Sequence, residues 1–287
     1  MESAPHPVLL KGSNREEITL ALRSVAAALA LSFALPSFAK SEKSRVVQRA
    51  LRHSVRVEVL VRERVERAAS GVVVATEGDT SYVLTNQHVV QREGLSGSAS
   101  FQVVVERPKL RRLRARVIAE GKVPDEDLAL LAVYGEALSP AQIAAEENVD
   151  VGDDVVVIGA PYGRALSVSS GIVSQLEIDD QDPKLQRAMK TDAPIGYGAS
   201  GGGVFDIPTG RLVGLVEGYR TAKVAFGGLS KDEFSFDVPM PGETFLSPPA
   251  KIRAFILRSG IGKLAGIKQD SAMAGASHSA APMARGR

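Results

Sequence analysis

The 287-residue sequence predicts an all-β protein, either a sandwich or a pair of barrels, with a short helix on each side of the strands. From Ser54 the apolar pattern has a period of two, because Val55, Val57 and Val59 alternate with charged or polar residues. Short apolar runs then recur at near-regular spacing, and no long helical pattern separates them. The predicted strands cover residues 71–75, 82–85, 101–105, 113–119, 128–133, 154–159, 167–176, 203–205, 211–217 and 234–239.

Two amphipathic patterns predict the helices. Over residues 41–53 the apolar side chains share one helical face, opposite a row of arginines: Val46, Val47, Ala50 and Leu51. Over residues 251–258 a second apolar face is formed by Ile252, Phe255 and Ile256. The second helix is expected to pack on the strands.

Composition excludes several classes of function. With 35 Lys and Arg against 33 Asp and Glu, the net charge of +2 is too small for a dedicated nucleic-acid-binding protein. The absence of cysteine excludes disulfides, thiolate zinc sites, iron–sulfur clusters and a cysteine nucleophile. The four histidines lack the i, i+4 pairing of helical metal sites, so neither a metal nor another cofactor is expected.

The termini differ from the centre of the chain. Residues 24–38 form an apolar run of signal-peptide length, shorter than the ~20 residues of a spanning helix, so residues 1–39 are interpreted as a signal peptide or membrane anchor. The alternative is a buried N-terminal helix. The first helix and first half of the strands are assigned to residues 40–145, and the second half with the last helix to residues 146–260. Residues 261–287 are rich in Ala, Gly and Ser, which predicts a disordered tail.

A basic segment, residues 107–116, carries six Lys and Arg residues. Its arginines alternate with apolar residues, which favours a strand with a solvated basic face. The alternative is a patch that recruits an acidic partner.

Three residues are candidates for nucleophilic catalysis. Ser200 lies in the glycine-rich segment 198–203, where small neighbours let backbone N–H groups face a reacting carbonyl. His88 is the histidine that lies outside the termini and helix ends, and Asp127 directly precedes an apolar strand. Each has an ordinary structural interpretation: Ser200 in a tight turn, His88 as a buried imidazole and Asp127 as a turn carboxylate.

The nucleophile elbow of α/β-hydrolases is rejected, because that fold places its histidine after the serine in the chain and a helix directly after the serine. The order His, Asp, Ser on an all-β background is that of the chymotrypsin-type double barrel.

The residues around these positions resemble the trypsin-like serine proteases, and among them the HtrA/Deg branch. Matching segments occur in the family's order at 84–90, 127–131, 158–163, 170–174, 191–193 and 198–202. The resemblance implies two six-stranded antiparallel β-barrels, a triad of His88, Asp127 and Ser200, and polypeptide substrates. The residues after Met240 are too few for the PDZ module that many relatives carry. Trimerisation through residues 41–53 is left open.

The resemblance also implies where a substrate binds. Amides of Gly198 and Ser200, with Ala199 as a third candidate, would form the oxyanion hole, and residues 236–238 would pair with an extended peptide. Pro194 stands where trypsin carries its selective acid, so small or medium aliphatic side chains are expected in the primary pocket. The substrate-binding residues are therefore expected to be Pro194, Ile195, Phe236, Asp237 and Val238.

The leading hypothesis is an exported serine endopeptidase, periplasmic or secreted, that acts on unfolded or misfolded proteins in protein quality control. The first alternative is a catalytically latent, protease-like binding scaffold, since Ala199 and residues 195–197 depart from the family pattern. The second is a processing enzyme of narrow specificity whose basic segment recruits an acidic partner.

Overall fold

A computed structural model of the protein describes residues 40–178, 186–226 and 234–268. The expected signal peptide or anchor, and the part of the expected tail from residue 269 onward, lie outside these ranges. Within them, no helix is both long and apolar enough to cross a membrane. Both halves of the strand-rich region belong to one compact unit that begins at Glu42.

Six antiparallel strands form the first closed barrel. They are β1 (Ser54–Val61), β2 (Arg64–Glu77), β3 (Thr80–Thr85), β4 (Ala99–Val105), β5 (Arg111–Glu120) and β6 (Ala129–Tyr134). Their order around the barrel is β1-β2-β3-β6-β5-β4. The interior is filled by alternate apolar side chains such as Val57, Val103 and Leu131, each fully buried.

Six more strands close the second barrel. They are β7 (Asp154–Gly159), β8 (Ser167–Ile178), β9 (Gln186–Thr191), β10 (Gly203–Asp206), β11 (Leu212–Phe226) and β12 (Phe234–Ser247). Their order is β10-β11-β12-β9-β8-β7, which repeats the arrangement of the first barrel. The expectation of two six-stranded antiparallel barrels is confirmed.

Among the described residues, three α-helices accompany the barrels: α1 (Glu42–His53), the single turn α2 (Gln87–Val90) and α3 (Pro249–Arg258). A shared core joins both barrels to α1 and α3 and includes Val46, Leu84, Phe205 and Ile252. The apolar face of α1 is therefore buried within its own chain. Trimerisation through residues 41–53 stays a prediction, and it would have to use other side chains of this helix.

Two elements differ from the sequence prediction. Strand β9 was not predicted, because in its sequence QRAMKT only Met189 is a large apolar residue and no alternation is visible. The predicted disordered tail begins too early, since Ile261 and Ile267 are 6% and 5% exposed and pack on the shared core. The packed chain therefore continues beyond residue 260, because these two isoleucines cover apolar surface next to α3.

The basic segment overlaps strand β5 over residues 111–116, as its alternation predicts. Arg112, Arg114 and Arg116 point outward and are exposed, while Leu113 and Ala115 lie partly buried between them. This pattern fits the solvated basic face.

Candidate active site

His88 and Asp127 are brought together by the pairing of two strands. Residue 88 lies in the helical turn that follows β3, and residue 127 directly precedes β6. Strands β3 and β6 pair with Thr85 opposite Ala129. The segment that follows Thr85 and the segment that precedes Ala129 therefore meet at one end of the first barrel.

The carboxylate of Asp127 makes two bonds to His88. Its Oδ2 lies 2.6 Å from the imidazole Nδ1, and its Oδ1 accepts the main-chain N–H of His88 at 2.9 Å. Asn86 Nδ2 donates to the carbonyl of Asp127 at 2.8 Å, which fixes the backbone that carries the acid. Because an ionised carboxylate only accepts, Nδ1 carries the proton, and Nε2 is left as a base.

Ser200 reaches the same cleft from the second barrel. It lies in the turn between β9 and β10, and a cleft of about 310 Å³ is lined by both His88 and Ser200. The Ser200 hydroxyl donates to the main-chain oxygen of Glu217 at 3.3 Å. The structure thus places the two residues on one cleft and directs the hydroxyl hydrogen to Glu217.

Glycine is required at two positions of the Ser200 turn. Gly198 and Gly201 have φ of +87° and +78°, values in the left-handed region that L side chains rarely adopt. A Cβ on Gly201 would lie 2.1 Å from the carbonyl oxygen of Ser70, and one on Gly198 would lie 2.7 Å from that of Ala160. The glycines predicted to be permissive turn residues therefore also allow the close approach of two backbones.

Two N–H groups of this turn are candidate donors for an oxyanion hole. Within the part of the chain that the structure describes, the main-chain N–H of Gly198 and that of Ser200 have no hydrogen-bond acceptor. The carbonyl of Tyr197 accepts the N–H of Tyr162 at 2.5 Å. Since N–H and C=O of a trans peptide point in opposite directions, the Gly198 N–H is turned away from Tyr162.

Ala199 must be removed from the candidate oxyanion-hole donors. Its N–H donates to the carbonyl of Gly196 at 3.0 Å, and its side chain is buried in the core of the second barrel. The hydrogen bond closes a tight turn that leaves the neighbouring N–H groups free. Sequence alone does not indicate which of three consecutive amides turns inward.

The expected substrate-binding residues are only partly at the cleft. Ile195 lines it, whereas Pro194 is exposed and is not among its described lining residues. The backbone of residues 236–238 pairs with residues 222–224 of β11. The strand that lines the cleft is β11 itself, through Gly218, Tyr219 and Thr221.

The assignment of Phe236, Asp237 and Val238 to substrate binding stays a prediction, and Val238 is not among the described residues that line the cleft. These three positions lie behind β11, because β12 occupies the edge of β11 on the far side from β10. The side chains of Phe236 and Asp237 are outside the described set. The sequence did contain a signal that β11 lies near Ser200, because β11 is the second strand of the hairpin that directly follows the Ser200 turn.

Two tyrosines, Tyr197 and Tyr219, line the cleft, and a third, Tyr162, lies next to Tyr197. The rings of Tyr197 and Tyr219 meet edge to face at 5.6 Å, and Tyr162 lies 6.4 Å from Tyr197. Burial, followed by the nearby Tyr197, raises the pKa of the Tyr219 hydroxyl well above its usual range. The Tyr219 hydroxyl is therefore neutral at physiological pH. No cluster of His, Asp or Glu able to hold a metal ion is found among the described residues.

The chain is similar in sequence to known serine proteases. The chain is 32% identical over 197 residues to a probable periplasmic serine endoprotease DegP-like of Ectopseudomonas mendocina, covering 67% of this chain and 37% of the relative. It is 35% identical over 157 residues to a serine protease HtrA-like of Staphylococcus epidermidis, covering 51% of this chain and 26% of the relative. The chain thus spans about a third of the length of the curated relatives it matches.

The fold is shared with solved structures. A serine endoprotease from Yersinia pestis superposes with a TM-score of 0.58 at 23% identity, covering 77% of this chain and 67% of the other. An HtrA-type protease solved with a tripeptide gives a TM-score of 0.57 at 23% identity, covering 77% and 64%. The sequence pattern of the trypsin-like peptidase domain matches residues 69–215, just over half of the chain. This chain therefore belongs to the trypsin-like peptidase family.

Proposed function

We propose that this protein is a serine endopeptidase that hydrolyses peptide bonds with Ser200, His88 and Asp127. The observation that carries the proposal is the 2.6 Å contact between His88 Nδ1 and Asp127, with Ser200 on the same cleft. An imidazole held in this tautomer presents Nε2 as a general base to a serine hydroxyl. The acid, base and nucleophile come from both barrels, so the cleft between them is where a polypeptide would be cleaved.

The reaction would proceed through an acyl-enzyme. Ser200 Oγ attacks the carbonyl carbon of the scissile peptide while its proton passes to His88 Nε2. Asp127 stabilises the resulting imidazolium. The tetrahedral intermediate collapses as His88 returns the proton to the leaving amine, and a water activated by His88 then hydrolyses the ester.

The free N–H groups of Gly198 and Ser200 are proposed to form the oxyanion hole. Both are donors without an acceptor in the described structure, and they flank a single peptide unit. Donors that are fixed before the reaction stabilise the charge that develops on the substrate oxygen, and each is worth about 2.7–4 kcal/mol.

The substrate is proposed to add as a strand to β11. Pairing of β10 with β11 ends at Gly203 opposite Leu215, while β12 continues along the other edge of β11. Two more main-chain bonds join Val216 to Gly201 and Gly202, and beyond Val216 the described strands leave the cleft-side edge of β11 unpaired next to Ser200. An extended peptide that paired there would also release the Ser200 hydroxyl, because Glu217 O would accept a substrate N–H instead.

The primary pocket is proposed to accept small or medium aliphatic side chains. The described residues that line the cleft include Ile195 and Tyr219 and no carboxylate. A basic substrate side chain would find no counter-charge there, whereas an aliphatic one would bury apolar surface.

The substrates are proposed to be unfolded or misfolded proteins outside the cytoplasm, a role in protein quality control. Strand addition requires an extended segment, which unfolded chains present more often than folded ones. The periplasmic location stated for DegP-like relatives and the composition of residues 24–38 both favour export.

The alternative, a catalytically latent scaffold, has one observation in its favour, the Ser200 hydrogen bond to Glu217. The bond from Tyr162 N–H to Tyr197 O favours the active form, since a reversed Tyr197–Gly198 peptide would place a carbonyl in the oxyanion hole. We therefore propose the active enzyme.

Labelling with a fluorophosphonate probe tests this choice. Wild-type residues 40–287 should be labelled, and both Ser200→Ala and His88→Ala should abolish labelling. A folded wild type that stays unlabelled would favour the scaffold. Digestion of one protein in its native and denatured forms then tests the proposed substrate class.

A further inference from the structure

One buried serine of the first barrel contacts the catalytic turn of the second. Ser70 lies in β2 and is fully buried. Its hydroxyl donates to the carbonyl of Gly198 at 2.8 Å and accepts the N–H of Ala160 at 2.8 Å. Its main-chain N–H donates to the carbonyl of Ser200 at 2.8 Å. The triad makes no use of this residue.

The main-chain carbonyls of residues 197–200 each accept one hydrogen bond. Tyr197 O accepts from Tyr162 N–H, and Ala199 O accepts from Gly202 N–H at 2.8 Å. The other two, Gly198 O and Ser200 O, are both held by Ser70. Each bond fixes one peptide plane, and a fixed carbonyl also fixes the direction of the next residue's N–H in the same plane. Tyr162 and Gly202 thus fix the peptides that carry the N–H groups of Gly198 and Ser200, and Ser70 fixes the two peptides that alternate with them.

Ser70 also supports the segment that holds Tyr197. Its bond to Ala160 N–H lies two residues before Tyr162, the donor to Tyr197 O. Gly163 packs so closely on β2 that a Cβ there would lie 2.6 Å from the Cβ of Ala68.

The far end of the same segment is held by charged groups of the first barrel. Arg56 Nη1 donates to the carbonyl of Arg164 at 3.1 Å, and Glu106 accepts the N–H of Leu166 at 3.0 Å. The segment 160–166 is therefore docked on the first barrel at both ends, and Ser70 holds the end closer to the active site.

From these contacts we propose that Ser70 is a positioning residue. It anchors the peptides Gly198–Ala199 and Ser200–Gly201, which adjoin the two peptides that carry the N–H groups of Gly198 and Ser200, and it thereby keeps these N–H groups aimed at the oxyanion. The proposal rests on the proposed peptidase function. It assigns to the first barrel a part in building the oxyanion hole, in addition to supplying His88 and Asp127. A hydroxyl is suited to the position because it donates once and accepts at the same time.

The chain offers a matched control in Ser81 of β3. Ser81 is also fully buried, its hydroxyl donates to the carbonyl of Glu136 at 2.8 Å, and it accepts the N–H of Leu138 at 2.8 Å. Ser70→Ala and Ser81→Ala therefore each remove one donated and one accepted bond from a buried site, and Ser81→Ala also removes a 3.4 Å contact with Thr76 Oγ1. Only Ser70 contacts the catalytic turn.

Steady-state kinetics on a peptide substrate give the first readout. Ser70→Ala should lower kcat by about tenfold or more with little change in KM. Misaligned donors reduce the stabilisation of the transition state more than they reduce the binding of the substrate. Ser81→Ala should keep a kcat within about twofold of wild type. Equal kcat values for the two variants would overturn the proposal. If Ser70→Ala does not fold, Ser70→Cys, which keeps a weaker donor and acceptor, replaces it in the same comparison.

Amide hydrogen exchange gives a readout that does not depend on activity. Ser70→Ala should accelerate exchange in segments 160–166 and 196–202, whereas Ser81→Ala should not. Unchanged exchange there would overturn the proposal. Failure of the peptidase function itself would appear separately, as a folded wild type without fluorophosphonate labelling, and exchange would then still decide whether Ser70 holds these peptides.

Discussion

The carboxylate of Asp127 holds His88 by two bonds at once, one to Nδ1 at 2.6 Å and one to the main-chain N–H at 2.9 Å. The second bond orients the carboxylate independently of the imidazole. The ring therefore meets an acceptor whose position is already set, and its side chain remains 42% exposed toward the cleft.

Asp127→Asn should preserve the fold and abolish most of the activity. The amide oxygen can still accept from the His88 main chain, so the amide nitrogen then faces Nδ1 and forces the imidazole proton onto Nε2. A loss of about four orders of magnitude in kcat is expected for this tautomer. Peptide hydrolysis measures it. Asp125→Asn, a change at an exposed neighbour, is the control and should leave kcat unchanged.

Gly201→Ala should destabilise the protein strongly. The new Cβ would lie 2.1 Å from Ser70 O and 2.5 Å from Thr85 Oγ1, and φ is +78°. Overpacking and backbone strain together should cost about 3 kcal/mol or more in the free energy of unfolding. Gly242→Ala shares the φ of +78° but meets no atom within 4 Å, so it should cost only about 1–2 kcal/mol. Urea denaturation compares the two, and equal losses would show that the turn can move away from β2.

Much of this architecture follows from the sequence pattern. Alternating valines predict β1, and the order of His88, Asp127 and Ser200 distinguishes the double barrel from an α/β-hydrolase. Strand β9 could not be predicted, because Met189 is its only large apolar residue and one of its two partners, β12, is distant in sequence.

The details of the site depend on backbone geometry that residue types do not specify. Ala199 carries an N–H like its neighbours, and only the turn shows that Gly196 accepts it. The pairing of β11 with β12 shifts between Val216 and Gly218, which sets the residues of β11 that face the cleft. The role of Ser70 was equally invisible, since its partners lie 90 and 128 positions away in the chain.

Cleavage should follow small or medium aliphatic residues. A peptide library digested by the wild type and analysed by mass spectrometry should show these side chains on the carboxyl side of the cut, because Ile195 and Tyr219 line the cleft. Tyr219→Ala should shift the preference toward larger apolar side chains, by about tenfold or more in kcat/KM. Dominant cleavage after Arg or Lys would contradict the proposed pocket.

Stability should fall when the pH drops below neutrality, in part because of His53. This residue ends α1, is 7% exposed, and donates from Nδ1 to the carbonyl of Ser139 at 2.9 Å. Burial is the main cause that lowers the pKa of its imidazole below 6.5.

The sign follows from proton binding. Between the lowered pKa and 6.5, the unfolded chain binds more protons at His53 than the native protein does, so protonation favours unfolding as the pH falls through this range. His53→Asn keeps an N–H donor near Ser139 and removes the titration. Urea unfolding at pH 7.5 and 5.5 should therefore show a smaller pH-dependent loss in the variant than in the wild type. An equal loss in both proteins would assign the pH dependence to other groups.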